Sequence, residues 1–194
     1  MKLSDLTLQH KKGLEKSETG SQIDLTSVTL DAEQIRDELL EGAIFDRVTF
    51  NELELVHCDL TASHLFDCTF INCKFTHCSF HKAEFHNCQA EHVKFAQCSF
   101  TKTEWYGGDF KHAVFAECDF SWSYLQSVDL RYTQFKDVNL EGAVWYKTKV
   151  YKSEFDSIDF GSQHPGRIQE TDISELGDGT TEVTIEQFRD LLGI

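Results

Sequence analysis

A chain of 194 residues, 40% apolar and 12% aromatic, is long enough to bury one ordinary core. Its formal net charge of −15 excludes a surface built to grip nucleic-acid phosphates, which needs Lys and Arg, but leaves a basic protein surface open to it. No apolar run approaches a membrane span, the N-terminus lacks a secretory apolar stretch, and seven cysteines are an odd number, so reduced thiols in a cytoplasm are expected.

In chain order, residues 1–20 are polar and are expected to be mobile. IDLTSVTL (23–30) shows two weak apolar steps and reads as an extra strand. LDAEQIRDELLEG follows. Asp31 reads as an N-cap, Gln34 sits three later, Ile35 and Leu39 share a face and Gly42 stands at the end, which predicts a capping helix over about 32–41. Residues 1–42 are thus an N-terminal segment, 43–160 a repeat domain and 161–194 an acidic linker with a short helix.

The repeat carries most of the information. From Phe45 to Phe160 every residue numbered as a multiple of five is apolar; of these 24 positions 14 are Phe and six are Leu, with Trp105, Trp145, Ala90 and Val150 completing the set. Two residues before each stands a small or apolar residue, from Ala43 to Ile158, and all seven cysteines occupy that position. The apolar spacing therefore alternates two and three. A helix needs three and four, and a plain strand needs two throughout. A two-residue step places two side chains on one face of an extended segment, and the three-residue step then requires a corner. Corners of one sense wind the chain into a coil whose turns pair as a parallel ladder about 4.8 Å apart. The single proline, Pro165, lies beyond the last repeat, as a ladder that needs its N–H groups requires.

AEFHN, CSFTK, AVFAE, CDFSW and VNLEG, as they stand in this chain, resemble the pentapeptide repeat family, with a central Leu or Phe and a small residue two before it. The resemblance covers 43–160. It implies an all-β solenoid, a right-handed quadrilateral β-helix of about six coils with short helical caps at both ends, with four fives per coil. Residues twenty apart then stack. Cys58, Cys78, Cys98 and Cys118 form one interior column, and the histidines of the repeat face outward. A backbone wall separates His77 from Cys78, which argues against a zinc site and for cysteines as small buried plugs. No cofactor, metal ligand set or catalytic residue is assigned, and the chain is expected not to be an enzyme.

After Phe160 the pattern stops. RIQETDISELGDGTTE is acidic and aperiodic and reads as a link. Thr184 and Gln187 then cap a helix of about 185–192 whose Ile185, Phe188, Leu191 and Leu192 share one face and are candidates for covering the last coil or for a dimer contact. The resemblance implies a homodimer through this C-terminal segment.

Two surfaces are candidates for binding a protein. One outward column reads Phe66, His86, Tyr106, Gln126 and Tyr146, with Trp122, Tyr124 and Tyr132 as further outward bulk. The other is acidic: Asp59, Asp119, Asp159, Asp109 and Asp129. The resemblance implies a protein that acts by binding, in some members as a DNA mimic that occupies DNA gyrase or topoisomerase IV and gives resistance to gyrase poisons. The alternative is a rigid scaffold for another protein partner, with neither direct nucleic-acid contact nor a membrane. Residues 43–160 hold 17 acids and 11 bases, so only −6 of the charge lies on the repeat and −9 on the flanks. No inserted loop breaks the register, as in the loop-free members.

Overall fold

The computed structural model describes residues 2–4, 6–7, 23–162, 166–169, 171–172, 180–181, 188 and 190. From Ile23 onward the chain winds into a quadrilateral, all-β parallel solenoid in which residue n stacks beneath residue n + 20. Its first face carries Asp24–Thr26, Ile44–Asp46, His64–Phe66, Glu84–His86, Glu104–Tyr106, Tyr124–Gln126, Val144–Tyr146 and Arg167–Gln169. The third face carries seven strands, from Gln34–Arg36 to Glu154–Asp156, so there are seven coils and not six. The second face starts as four strands, Thr29–Asp31, Thr49–Asn51, Thr69–Ile71 and Gln89–Glu91, and continues as single bridges through Asp109, Asp129 and Lys149. The fourth face is single bridges throughout, from Leu39 to Asp159.

The three-residue step has a simple physical basis. The residue two past nearly every centre adopts a left-handed conformation; 23 non-glycine residues do so, with φ between 50° and 61°. Each costs an L-residue about 1–2 kcal/mol. The cost is offset locally, because that corner N–H donates to a carbonyl of the next coil, as from Ser27 to Asp46 (2.8 Å) and from His77 to Ala96 (2.9 Å). The centres meanwhile bury their rings. Phe75, Phe95, Phe115, Phe135 and Phe155 form one stack with centroids 4.9, 5.0, 5.3 and 4.9 Å apart. Phe80, Phe100 and Phe120 form another, at 4.9 and 4.6 Å. Each buried Phe contributes about 1.5–3 kcal/mol. All seven cysteines are buried thiols. Their Sγ–H groups reach interior carbonyls, Cys73 to Phe50 at 3.2 Å and Cys68 to Phe45 at 3.3 Å. Burial pushes the Cys73 and Cys88 thiols up, which keeps them protonated.

The ends depart from expectation. Residues 32–41 are not a helix: Gln34–Arg36 is a strand, and Ile35 and Leu40 are buried centres of the first coil. Glu33 and Glu38 stand where inward residues are otherwise small, and this disguised the register. Glu33 is tolerable there because it lies at the open mouth of the rod. Its carboxylate accepts hydrogen bonds from the Ser4 backbone N–H (3.3 Å) and the Ser4 hydroxyl. The N-terminus is accordingly docked, with Ser4, Leu6 and Thr7 helical and Leu3 and Thr7 buried over the first coil.

At the other end, Arg167–Gln169 adds a further strand to the first face, paired with Val144–Tyr146. It enters at n + 23, three residues late, and buries Ile168 against the last coil. Thr171–Asp172 then pairs antiparallel with Thr180–Thr181. Phe188 is helical and fully buried, edge-on to Phe155 (5.3 Å) and Phe160 (6.5 Å), and so covers the end of the core. Ile185, Leu191 and Leu192 lie outside the described residues.

Candidate protein-interaction face

On each strand of the first face the central residue points inward, and its two neighbours point out. Parallel pairing with no shift therefore builds two outward columns. One holds His64, Glu84, Glu104 and Tyr124; the other holds Phe66, His86, Tyr106 and Gln126, with Val144 and Tyr146 completing the pair of columns.

The rings form a continuous series. His64 lies parallel to Phe66 at 6.1 Å, Phe66 meets His86 at 4.9 Å, His86 meets Tyr106 at 5.1 Å, and Tyr106 meets Tyr124 at 5.9 Å. Two carboxylates sit among them. Glu84 Oε2 faces His86 Nε2 at 3.2 Å and His64 Nδ1 at 3.4 Å. Glu104 Oε2 accepts a hydrogen bond from the Tyr106 hydroxyl at 2.7 Å, and the Tyr124 hydroxyl donates to Gln126 at 3.0 Å. The hydrogen bond to Glu104, aided by burial and the surrounding carboxylates, pushes Tyr106 up to about 12.

Phe66, His86, Tyr106 and Tyr146 thus share one face. Lys147 Nζ lies 5.0 Å above the Tyr146 ring. Trp122 stands at the corner between the fourth and first faces, 49% exposed, with its indole over Gly142. A Cβ at Gly142 would come within 2.7 Å of that ring, so glycine is what lets the indole lie flat. Tyr132 is not part of this surface. It lies at the diagonally opposite corner, stacked on His112 (5.0 Å) and beside Tyr151 (6.1 Å).

The acidic candidates have a different role. Asp59, Asp119 and Asp159 each accept a hydrogen bond at 2.9 Å from the backbone N–H two residues on, which holds the turn of the fourth face. Asp109 and Asp129 make the same bond at 3.1 and 3.2 Å on the second face. They also pair within the chain: Lys111 Nζ lies 2.5 Å from Asp109 and 3.4 Å from Asp129, and Arg131 grips Asp129 through Nε and Nη2. Burial alone would raise Asp129, but hydrogen bonds from Arg131 and the charges of Lys111 and Arg131 hold it below the usual carboxylate range. These five residues shape corners more than they present free charge.

Sequence reading stacks Glu84 on Glu104 as part of a solvated outer wall and turns His64 outward, but it does not join these three to the ring series. Their signal was present: each precedes a first-face centre by one residue, at intervals of twenty. Among the described residues no group of three His, Cys, Asp or Glu is arranged to hold a metal ion. No helix among them is long and apolar enough to cross a membrane.

Comparison with known proteins agrees with this architecture. The pentapeptide repeat region family matches residues 43–119, and the family described as pentapeptide repeats (8 copies) matches 109–142. The chain belongs to the pentapeptide repeat family, and is a repeat-scaffold protein. Among solved structures it is similar to a trypsin-treated form of QnrB1, a plasmid-mediated fluoroquinolone resistance protein, with 15% identity, a TM-score of 0.53, and 88% of this chain and 94% of that one covered. HetL, a pentapeptide repeat protein involved in heterocyst differentiation regulation from the cyanobacterium Nostoc sp., aligns over 94% of this chain and all of its own, with 9% identity and a TM-score of 0.29. No curated protein sequence matches the chain.

Proposed function

We propose that this protein is a non-enzymatic rod that binds another protein through its first face. One observation carries the reading. The outward positions of that face from Ile44 to Tyr146 hold a connected series of rings, three carboxylates (Asp46, Glu84 and Glu104), and no Lys or Arg. The third face instead carries Lys74, Lys94 and Lys136, and the second carries Lys111, Arg131 and Lys149. Stacked rings stabilise a β surface in any case. A flat, rigid aromatic strip also presents large contact area with little side-chain entropy left to lose on binding.

A type II topoisomerase is the partner class that the family resemblance implies. The fold likeness to a fluoroquinolone resistance protein and the acidic total support it. The DNA-mimic form of the idea rests on the outer charge of the whole rod. Binding through the first face rests on a local surface.

The test is supercoiling by purified DNA gyrase, with and without a quinolone, in the presence of the protein or its Tyr106→Ser, Tyr146→Ser double variant. Inhibition or protection by the parent, lost in the variant, is the expected result. No effect of the parent at micromolar concentration removes the topoisomerase. An effect that the variant retains in full removes the first face.

A further inference from the structure

We propose that Glu84 and Glu104, with the rings of His86, Tyr106 and Tyr124 around them, form a recognition site for an arginine side chain on a basic protein partner. The inference rests on the protein-binding reading above and names the chemistry of the partner.

Parallel pairing sets Glu84 directly against Glu104 on neighbouring strands, one ladder spacing of about 4.8 Å apart. Like charges opposite one another destabilise a sheet. On the second face the chain relieves this within itself, for Asp109 is likewise opposite Asp129, and Lys111 and Arg131 neutralise them. Glu84 meets only imidazoles and Glu104 only a phenol, so neither is paired with a Lys or Arg among the described residues.

The two carboxylates are also oriented. The Tyr106 hydroxyl holds Oε2 of Glu104, and the flanking histidines face Oε2 of Glu84. Among the described residues the other oxygen of each makes no hydrogen bond, which leaves it for an incoming donor. A guanidinium suits this arrangement. Its planar fork offers donors along two edges, so it can reach both carboxylates of the ladder, and its face stacks on aromatic rings such as those of Tyr106 and Tyr124. A lysine ammonium is compact and strongly hydrated, and gains less from the rings. The charge of −15 adds a long-range attraction for a basic surface, but that attraction is shared by the whole molecule and selects no site.

The experiment is calorimetric titration of the full chain with oligoarginine and oligolysine peptides of equal length at physiological salt. Oligoarginine is expected to bind the more tightly. The Glu84→Gln, Glu104→Gln double variant is expected to weaken it about tenfold, equal to about 1.4 kcal/mol. Glu117→Gln, Asp137→Asn removes the same charge from an exposed pair of successive corners and is expected to change affinity less than about twofold. Circular dichroism keeps loss of binding separate from loss of fold. Equal losses in the two double variants, or equal affinity for the two peptides, overturn the arginine site. So does a protein partner that the Glu84, Glu104 variant still binds and the Tyr106, Tyr146 variant does not, and that result leaves the first-face interface standing.

Discussion

Below Gly107 and Gly108 the second face of the rod is a ladder of three-residue strands; above them the same face is a column of hydrogen-bonded turns. The difference follows the residue one before each centre. Thr29, Thr49, Thr69 and Gln89 lie in strands, whereas Asp109 and Asp129 offer a carboxylate to the N–H two residues on and so favour a tighter corner. Asp59, Ser79, Ser99, Asp119, Asn139 and Asp159 repeat this logic on the fourth face, which is turns from end to end. Lys149 has no capping oxygen, yet its corner still closes, with Ser153 N–H donating to the Val150 carbonyl at 3.0 Å. A corner can therefore be imposed by the coil beneath it.

Breaking the junction between the two regions should have the largest effect. Gly108 occupies an inward position at φ 105°, and a Cβ there would lie 2.5 Å from the Cys88 carbonyl oxygen. Gly108→Ala is expected to cost roughly 3 kcal/mol in denaturant unfolding, from overpacking against backbone and from strain. Gly107→Ala should cost less, about 1–2 kcal/mol, the left-handed penalty alone. Its φ of 69° is close to that of the other corners, and the nearest atom is the movable Asn87 Oδ1.

The capping residue is the next target. Asp129→Ala should cost about 2 kcal/mol, because it removes the turn bond and leaves Lys111 and Arg131 without their shared partner. Asp119→Ala, on the fourth face and without that ion network, should cost about 1 kcal/mol. The pH dependence has a definite sign. Asp129 is held below its unfolded value, so its contribution is full above about pH 4 and is lost as pH falls through the lower folded value. Acid titration of the Asp129→Ala variant should therefore show a shallower loss of stability than the parent.

The two coils that carry tryptophan sharpen the comparison further. Below the junction, Trp105 Nε1 donates to Thr103 Oγ1 at 3.0 Å, and that hydroxyl donates to the Phe100 carbonyl at 2.7 Å. Above it, Ala143 stands in the place of Thr103, and the buried Trp145 Nε1 has no partner among the described residues. Ala143→Thr should raise stability by about 1 kcal/mol, and Thr103→Ala should lower it by about as much. Thermal unfolding midpoints check both.

The smallest effect is local to the first face. Tyr106 should release its proton near pH 12, seen as phenolate absorbance, and Glu104→Gln should bring that titration down with little change in fold. Whatever stability the bond adds is present below the ordinary tyrosine value of about 10 and is lost as pH rises through 12.

Much of this was readable in advance because the register is so regular. Phe45 to Phe160 mark the centres, and Cys58, Cys78, Cys98 and Cys118 are as buried as their spacing implied. The first coil was not readable as such. Leu25, Leu30, Ile35 and Leu40 keep the multiple of five, but Glu33 and Glu38 break the inner pattern, and Asp31 to Gly42 imitates a capped helix. The site was half legible. Phe66, His86, Tyr106 and Tyr146 could be placed in one column by counting, whereas the bonds that join Glu84 to His64 and His86 depend on rotamers.

The sequence by itself determined the period and the identity of the inward residues, because only a corner in every five residues returns the apolar side chains to one side; the stacking of positions twenty apart is what the family resemblance implied. Only the tertiary structure decided where the winding starts and stops, and what each outward acid is for. A chain end can plug a coil or leave it open with the same local pattern. A carboxylate on the wall can hold a turn, as Asp59 and Asp119 do, or lie among side-chain rings, as Glu84 and Glu104 do. Which of these happens depends on the donor that the next coil or the corner brings within hydrogen-bond reach.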